Sequence, residues 1–293
     1  MAFIDYVMMF KDFAMLNIAN SQKNDKNLIP AKSTTLPPVL TIAGSDCSGG
    51  AGIQADLKTF SAHKLYGMSI ILSVVAENTA RVISSYDMPI NTINEQFEAV
   101  FSDIIPKSSK IGMLGSEAIL ECVQANLIQH KPKNIVLDPV MFAKNGYPLM
   151  PKSVREKLAK ILPLCDIITP NLPEASELVG FEIASLEEMK KGAKILCDKG
   201  AKSVLIKGGH SANNANDVFY DGGEIVVLES KRIDTKNTHG TGCTLSSAIA
   251  CNLAVGKNAL ESVNEAKKYV FGAILHSLNL GSGNGPTNHF YAH

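Results

Sequence analysis

The chain has 293 residues, 45% of them apolar and 19% charged, with 28 basic side chains against 28 acidic ones. Such a mix supports a sizeable buried core and excludes a disordered chain, and the lack of a basic surplus speaks against a nucleic-acid binder. The longest apolar runs, such as Ser69 to Ala76, are strand-length and well short of a membrane span. In chain order, Asp5, Lys11 and Asp12 interrupt the first twenty residues and no cleavage-site pattern follows, so no signal peptide is read. Residues 21–38 are polar, carry three prolines and predict a linker. Residues 1–38 are therefore expected to be an extension, and 39–293 a single domain. Val39 to Ala43 predicts a buried strand, Ile53 to Lys64 an amphipathic helix, and Ser69 to Ala76 a second strand. Thr92 to Ile105 carries helical periodicity, Lys110 to Leu114 a short strand, and Glu117 to Gln129 a helix. Asn134 to Pro139, Asp166 to Thr169 and Ala201 to Ile206 read as strands with helical segments between them. Val218 to Leu228 reads as a hairpin, and two helices follow, Thr241 to Val255 and Ala259 to Ser277. Strands alternating with helices predict an α/β fold: one three-layer α/β/α domain around a mostly parallel sheet. The cysteines form no C-x-x-C pair, which suits reduced thiols in the cytoplasm.

In such a sheet the ligand sits beyond the carboxyl ends of the strands, so every polar strand exit is a candidate. The first exit, Gly44-Ser-Asp-Cys-Ser-Gly-Gly-Ala-Gly52, lets backbone amides approach a ligand closely. No Lys-Ser/Thr follows the glycines, so it is not a P-loop. Gly50-Ala-Gly52-Ile-Gln-Ala55 formally matches a dinucleotide fingerprint, with Glu77 ending the next strand, but a plain strand-to-helix turn reads the same way. In the second exit, Gly240 and Gly242 bracket Thr241 at a helix start, where free amides and the helix dipole favour an anion. Cys243 lies in that first turn, where a thiol pKa is expected to fall. The same residues would equally serve as a plain helix cap over a small buried cysteine. Asp138 and Glu174 end or follow strands and suit Mg²⁺, and Lys207 could bring an ammonium to a phosphate. Their convergence on one sheet edge points to a nucleotide-dependent phosphotransferase.

Leu40-Thr-Ile-Ala-Gly-Ser-Asp46 and Ser48-Gly-Gly-Ala-Gly-Ile-Gln-Ala-Asp-Leu-Lys-Thr-Phe60 closely resemble the hydroxymethylpyrimidine/phosphomethylpyrimidine kinases of thiamine biosynthesis, in the ribokinase-like superfamily. The resemblance continues through Lys110-Ile-Gly-Met-Leu114, Asp138-Pro-Val-Met141, Thr169-Pro-Asn-Leu-Pro-Glu-Ala175, Lys207-Gly-Gly-His210, Asn237-Thr-His-Gly-Thr-Gly-Cys-Thr244 and Gly285-Pro-Thr-Asn-His-Phe290. It covers the chain from Val39 onward, in order. The resemblance implies ATP-dependent phosphorylation of 4-amino-5-hydroxymethyl-2-methylpyrimidine, then of its monophosphate, with Mg²⁺, in a cytoplasmic homodimer that needs neither nucleic acid nor membrane.

Carried over residue by residue, Gly44, Ala51, Asp56, Glu77, Met113 and Val140 would surround the pyrimidine. Asn171 and Glu174 would organise Mg²⁺ and the triphosphate, with Asp138 nearby. Lys207 and Thr241 would touch phosphates, and Gly240, Thr241, Gly242 and Cys243 would form the anion hole, with Cys243 in the place of the superfamily's usual Asp. One position departs: the family usually reads Ala-Gln-Asn-Thr where this chain has Ala76-Glu-Asn-Thr79. That Gln is expected to hold the aminopyrimidine. A pyridoxal kinase, or a catalytically silent nucleotide-binding regulator on the same fold, are the alternatives.

Overall fold

The computed structural model describes residues 35–143, 146–209 and 215–292. The expected extension lies outside the described residues up to residue 34, as does His210. Strand β1 (Pro38–Asp46) is apolar on both faces, as a strand covered by helices on either side must be: Leu40 and Ile42 pack into one core and Val39 into another. Helix α1 (Gly52–Ala62) leads to β2 (Tyr66–Glu77), and β3 (Val82–Asp87) turns back antiparallel along it. Then come α2 (Ile90–Phe101), β4 (Ser108–Ile111), α3 (Glu117–His130), β5 (Ile135–Leu137), α4 (Lys152–Lys157), β6 (Ile167–Ile168), α5 (Leu172–Val179) and α6 (Leu186–Asp198). Strand β7 (Val204–Ile206), the hairpin β8 (Asp217–Tyr220) and β9 (Ile225–Leu228), and helices α7 (Thr241–Ala254) and α8 (Ala259–Leu275) complete the fold.

The strands form one nine-stranded sheet in the order β3-β2-β1-β4-β5-β6-β7-β8-β9. Strands β2, β1, β4, β5, β6 and β7 run parallel; β3 and β8 border them antiparallel, and β9 pairs antiparallel with β8 at the outer edge. Alternate residues feed the two faces: Val136 and Leu205 pack with α1, α7 and α8, whereas Leu137 and Ile206 pack with α2 to α6. The three expected layers follow. Chain order reverses between β1 and β4, the switch point where such sheets hold their ligands.

Several boundaries differ from the sequence reading. β4 ends at Ile111, so Gly112, Met113 and Leu114 leave the sheet as a loop at its carboxyl end. α2 stops at Phe101 rather than Ile105. β3 escapes the pattern because only Val82 in it is buried, which leaves an edge strand without apolar alternation. Among the described residues no helix is long and apolar enough to cross a membrane, and all six cysteines are free.

Candidate active site

At the switch point lies an open cleft, where such sheets hold their ligands. Gly44 lies near the end of β1, Glu77 ends β2, Met113 follows β4 and Val140 follows β5; all four line the cleft together with Ala51 and Cys243. Its walls are largely apolar, with Glu77 bringing a carboxyl in from the end of β2. Burial lifts the Glu77 carboxyl from 4.5 to about 7, with the Asp46 charge adding to the lift and His239 opposing it.

Asp46 organises the glycine-rich loop. Its carboxylate accepts the backbone N–H of Ser48 at 2.7 Å, of Gly50 at 3.1 Å and of Ala51 at 2.7 Å. It also bonds His239 Nε2 at 2.8 Å, across 193 residues of sequence. Burial alone would raise this carboxyl, yet the bonds from His239, Ser48 and Ala51 bring it down to about 2. His239 precedes Gly240, the left-handed cap of α7 at φ 77°. A side chain on Gly240 would put its Cβ 1.7 Å from the Gly50 oxygen, so the two glycine loops touch backbone to backbone. The His239 N–H donates to the Gly285 oxygen at 3.0 Å, which draws in the Gly285-Pro-Thr287 motif as well.

Beside this contact lies a phosphate-sized corner. Asp138, 1% exposed, accepts Lys207 Nζ at 2.8 Å and Thr169 Oγ1 at 3.3 Å. A Cβ on Gly242 would sit 3.2 Å from Asp138 Oδ2 and 3.4 Å from Lys207 Nζ, so glycine there keeps the approach open. Burial pulls the Lys207 ammonium down, but the Asp138 and Glu174 carboxylates hold its pKa above the ordinary value. Asn171 and Glu174 form a capping box on α5, with Asn171 Oδ1 accepting the Glu174 N–H at 2.9 Å and Glu174 Oε2 accepting the Asn171 N–H at 2.8 Å. The amides of the first turn of α7 open toward this corner with the positive end of the helix dipole.

The cleft thus gathers Gly44, Ala51, Glu77, Met113, Val140 and Cys243, while Asp138, Lys207 and Gly242 meet at the corner beside it. Three expectations need correction. Asp56 does not line the cleft: it is fully buried beneath it, where Thr41, Lys110 and Ser247 all donate to its carboxylate. Glu174 is 3% exposed, and its oxygens accept the Asn171 and Met141 amides, so it shapes the corner through the backbone. The Cys243 thiol is not pulled down by its helix. Burial pushes it up to about 11, with Asp56 and Asp138 adding to that and Lys110 opposing. Thr241, at the same helix start, turns its hydroxyl back onto the Thr238 oxygen at 2.8 Å.

Asp46, His239 and Lys110 escape the sequence reading. Lys110 has a visible signal, a charged residue inside an otherwise apolar strand. Asp46 and His239 lie within the motifs of the resemblance, but nothing in the spacing pairs them.

Residues 46–288 match the family model for phosphomethylpyrimidine kinase. A hydroxymethylpyrimidine/phosphomethylpyrimidine kinase of Haemophilus influenzae is 48% identical over 259 residues, spanning 86% of this chain and 96% of its own. The phosphomethylpyrimidine kinase structure of Clostridium difficile superposes with a TM-score of 0.74 at 45% identity, over 81% of this chain and 99% of that one. The Bacillus subtilis pyridoxal kinase structure superposes with a TM-score of 0.83 at 38% identity, over 88% and 99%. The chain belongs to the phosphomethylpyrimidine kinase family.

Proposed function

We propose that this enzyme transfers the γ-phosphoryl group of ATP to 4-amino-5-hydroxymethyl-2-methylpyrimidine and then to the resulting monophosphate, in thiamine biosynthesis. One observation carries the reading. The cleft and the anion corner meet at Cys243, so an acceptor oxygen in the cleft faces a phosphoryl group held at the start of α7.

Each residue then has a task. The amides of Gly240, Gly242 and Cys243 take the equatorial oxygens of the phosphoryl group, whose charge spreads over them in a loose transition state, while the Thr241 amide is held by the Thr238 oxygen at 3.3 Å. Lys207 adds a cation held in place by Asp138. The corner fits Mg²⁺, a hard ion that binds carboxylate oxygen and keeps several waters, because Asp138 turns Oδ2 toward Gly242. When bound, Mg²⁺ would neutralise phosphate charge. Asn171 and Glu174 fix the strand exit beside it. In the cleft, Met113 and Val140 supply apolar walls and Glu77 the polar contact to the ring. Cys243 stands where the acceptor hydroxyl would sit. The free cysteines support a reducing, cytoplasmic setting. A homodimer rests on family resemblance and is tested by sedimentation.

Pyridoxal kinase is a second reading, favoured by the Bacillus subtilis likeness. A coupled assay of ADP release with the pyrimidine alcohol, its monophosphate and pyridoxal separates the two. Turnover of both pyrimidines, with kcat/KM above that for pyridoxal, is expected. Turnover of pyridoxal alone overturns the reading, and no turnover of any acceptor favours the silent regulator.

A further inference from the structure

Beneath the cleft lies a charge pair that none of the roles above uses. Lys110 on β4 has a fully buried side chain, yet its residue forms part of the cleft lining beside Cys243. Its side chain leaves the sheet on the α1 and α7 face and reaches toward the carboxyl end of the strand. There its ammonium passes over Gly112, where a Cβ would stand 2.9 Å from Nζ. A single partner anchors it from below: the Asp56 oxygens accept from Nζ at 2.9 and 2.8 Å.

Asp56 is itself saturated. Thr41 Oγ1 donates to it at 2.6 Å and Ser247 Oγ at 2.7 Å. Thr41 and Lys110 are register neighbours on β1 and β4, and Ser247 lies on α7, so three elements clamp one carboxylate. An ammonium has three donors, and one carboxylate below it takes two. Among the described residues no second acceptor bonds Nζ, so one donor of the three remains on a residue that borders the cleft. Burial works against the ammonium, but the Asp56 and Asp138 charges and the bonds to Asp56 hold its pKa above the ordinary lysine value, so it stays charged throughout the working pH range.

A pyrimidine alcohol gives such a charge little to do. Its monophosphate differs, because it brings two negative charges up to a triphosphate that is also anionic. Lys207 is already occupied by Asp138 at the corner. Resting on the kinase reading above, we propose that Lys110, held by Asp56, donates a hydrogen bond to the phosphate of the monophosphate acceptor and is the catalytic residue that admits this anionic second substrate. In that reaction an acceptor phosphate oxygen attacks the γ-phosphorus. The new O–P bond forms as the bond to the β,γ-bridging oxygen breaks, and its electron pair leaves on ADP. The attacking phosphate is already ionised, so no proton needs to move.

The test uses the full chain and compares both acceptors. Replacing Lys110 alone leaves Asp56 buried without its counter-ion, so the variant of choice is the double Lys110→Met/Asp56→Asn, in which Asn still offers polar atoms to Thr41 and Ser247. With folding verified by thermal melt, both activities fall, but kcat/KM for the monophosphate falls about tenfold further than for the alcohol, the scale of one charge-assisted hydrogen bond. The extra loss appears in KM for the monophosphate. A ratio of the two activities unchanged within about threefold overturns the proposal and leaves the pair a structural staple. If the double variant does not fold, a crystal structure of the wild-type protein with the monophosphate decides. A phosphate oxygen within about 3.2 Å of Lys110 Nζ supports the contact, and a phosphate bound elsewhere removes it. Wild-type protein that turns over neither pyrimidine refutes the kinase reading itself, a separate outcome from either of these.

Discussion

The cleft and the phosphate corner solve the same problem, holding charge in a buried place, in different ways. At the corner most of the work falls to backbone: glycines that keep the approach clear, amides at a helix start, and a capping box just past a strand exit. Its one ion pair, Asp138 with Lys207, is still reached by solvent at the lysine, whose side chain is 15% exposed. In the cleft the charges are side chains compensated from far away in sequence. Asp46 meets His239 and Asp56 meets Lys110, the second pair with both side chains at 0% exposure. A site for an invariant group such as a triphosphate can be built from local motif, whereas a site for a particular ring draws its electrostatics from the assembled fold.

The largest expected effect measures that difference directly. Lys110→Met leaves Asp56 charged in a fully dry setting and should cost about 3–5 kcal/mol of stability. Lys207→Met removes a partner from the more open pair and should cost distinctly less. Urea unfolding of both variants checks the ordering; equal losses would mean that the two regions handle charge alike.

Next in size is Cys243, where the two regions join. A thiol pushed up to about 11 is neutral near pH 7, and a neutral thiol cannot take up a proton. Cys243 therefore acts as base only through its small thiolate fraction, which grows as pH rises, and it receives the hydroxyl proton late in transfer as that proton becomes acidic. The monophosphate has no proton to give. Cys243→Ala should therefore lower kcat for the alcohol about a hundredfold and for the monophosphate much less. Equal losses in the two steps would reduce the residue to shape.

Much of this contrast is legible in the amino-acid sequence alone. The alternation of apolar runs with helical segments defines the layers, because a strand buried on both faces needs no polar alternation and so stands out as a continuous run. Gly240, Gly242, Asp138 and Asn171 can be placed because strand exits and helix starts are local. Asp56 is misread for the opposite reason: its position on α1 points it at the sheet, and only the register of β1 with β4 shows that Lys110 waits there. The Cys243 pKa is misread because the helix dipole is visible in sequence and burial is not. The edge strand β3 carries too little apolar surface to announce itself.

A smaller effect tests how Asp46 holds the two glycine loops together. Its carboxyl is depressed from 3.8 to about 2 in the folded chain. A depressed acid stabilises the fold above its unfolded pKa and loses that contribution as pH falls through the folded value. About 2 kcal/mol should thus disappear between about pH 4 and pH 2. Glu174 and Glu77, both lifted to about 7, act with the opposite sign and weaken the fold as pH rises from about 4.5 to 7. In Asp46→Asn the acid limb of a melting-temperature profile should flatten. An unchanged limb would assign the acid sensitivity to other carboxylates.

The subtlest test concerns Glu77, at the position where the resemblance leads one to expect Gln. A Gln amide accepts from the 4-amino group and donates to a ring nitrogen at once, whereas an ionised carboxylate only accepts. Facing an unprotonated ring nitrogen, it would set lone pair against lone pair. A protonated carboxyl restores both functions, with C=O as acceptor and O–H as donor. Burial and the neighbouring Asp46 charge lift this carboxyl to about 7, so the acid form is present in quantity near neutral pH and dominates below it. The sign follows: KM for the pyrimidine alcohol should be low and flat below about pH 6, and rise several-fold as pH climbs through 7 to about 8. Glu77→Gln should stay active with that rise abolished, and Glu77→Ala should raise KM several-fold at every pH. Asp46→Asn removes the charge that adds to the lift, so it should move the rise to lower pH, which ties the cleft's specificity to its long-range charges. Parallel KM profiles for wild type and Glu77→Gln would show that the proton on Glu77 takes no part in holding the ring, and an unchanged KM in Glu77→Ala would remove the residue from the site.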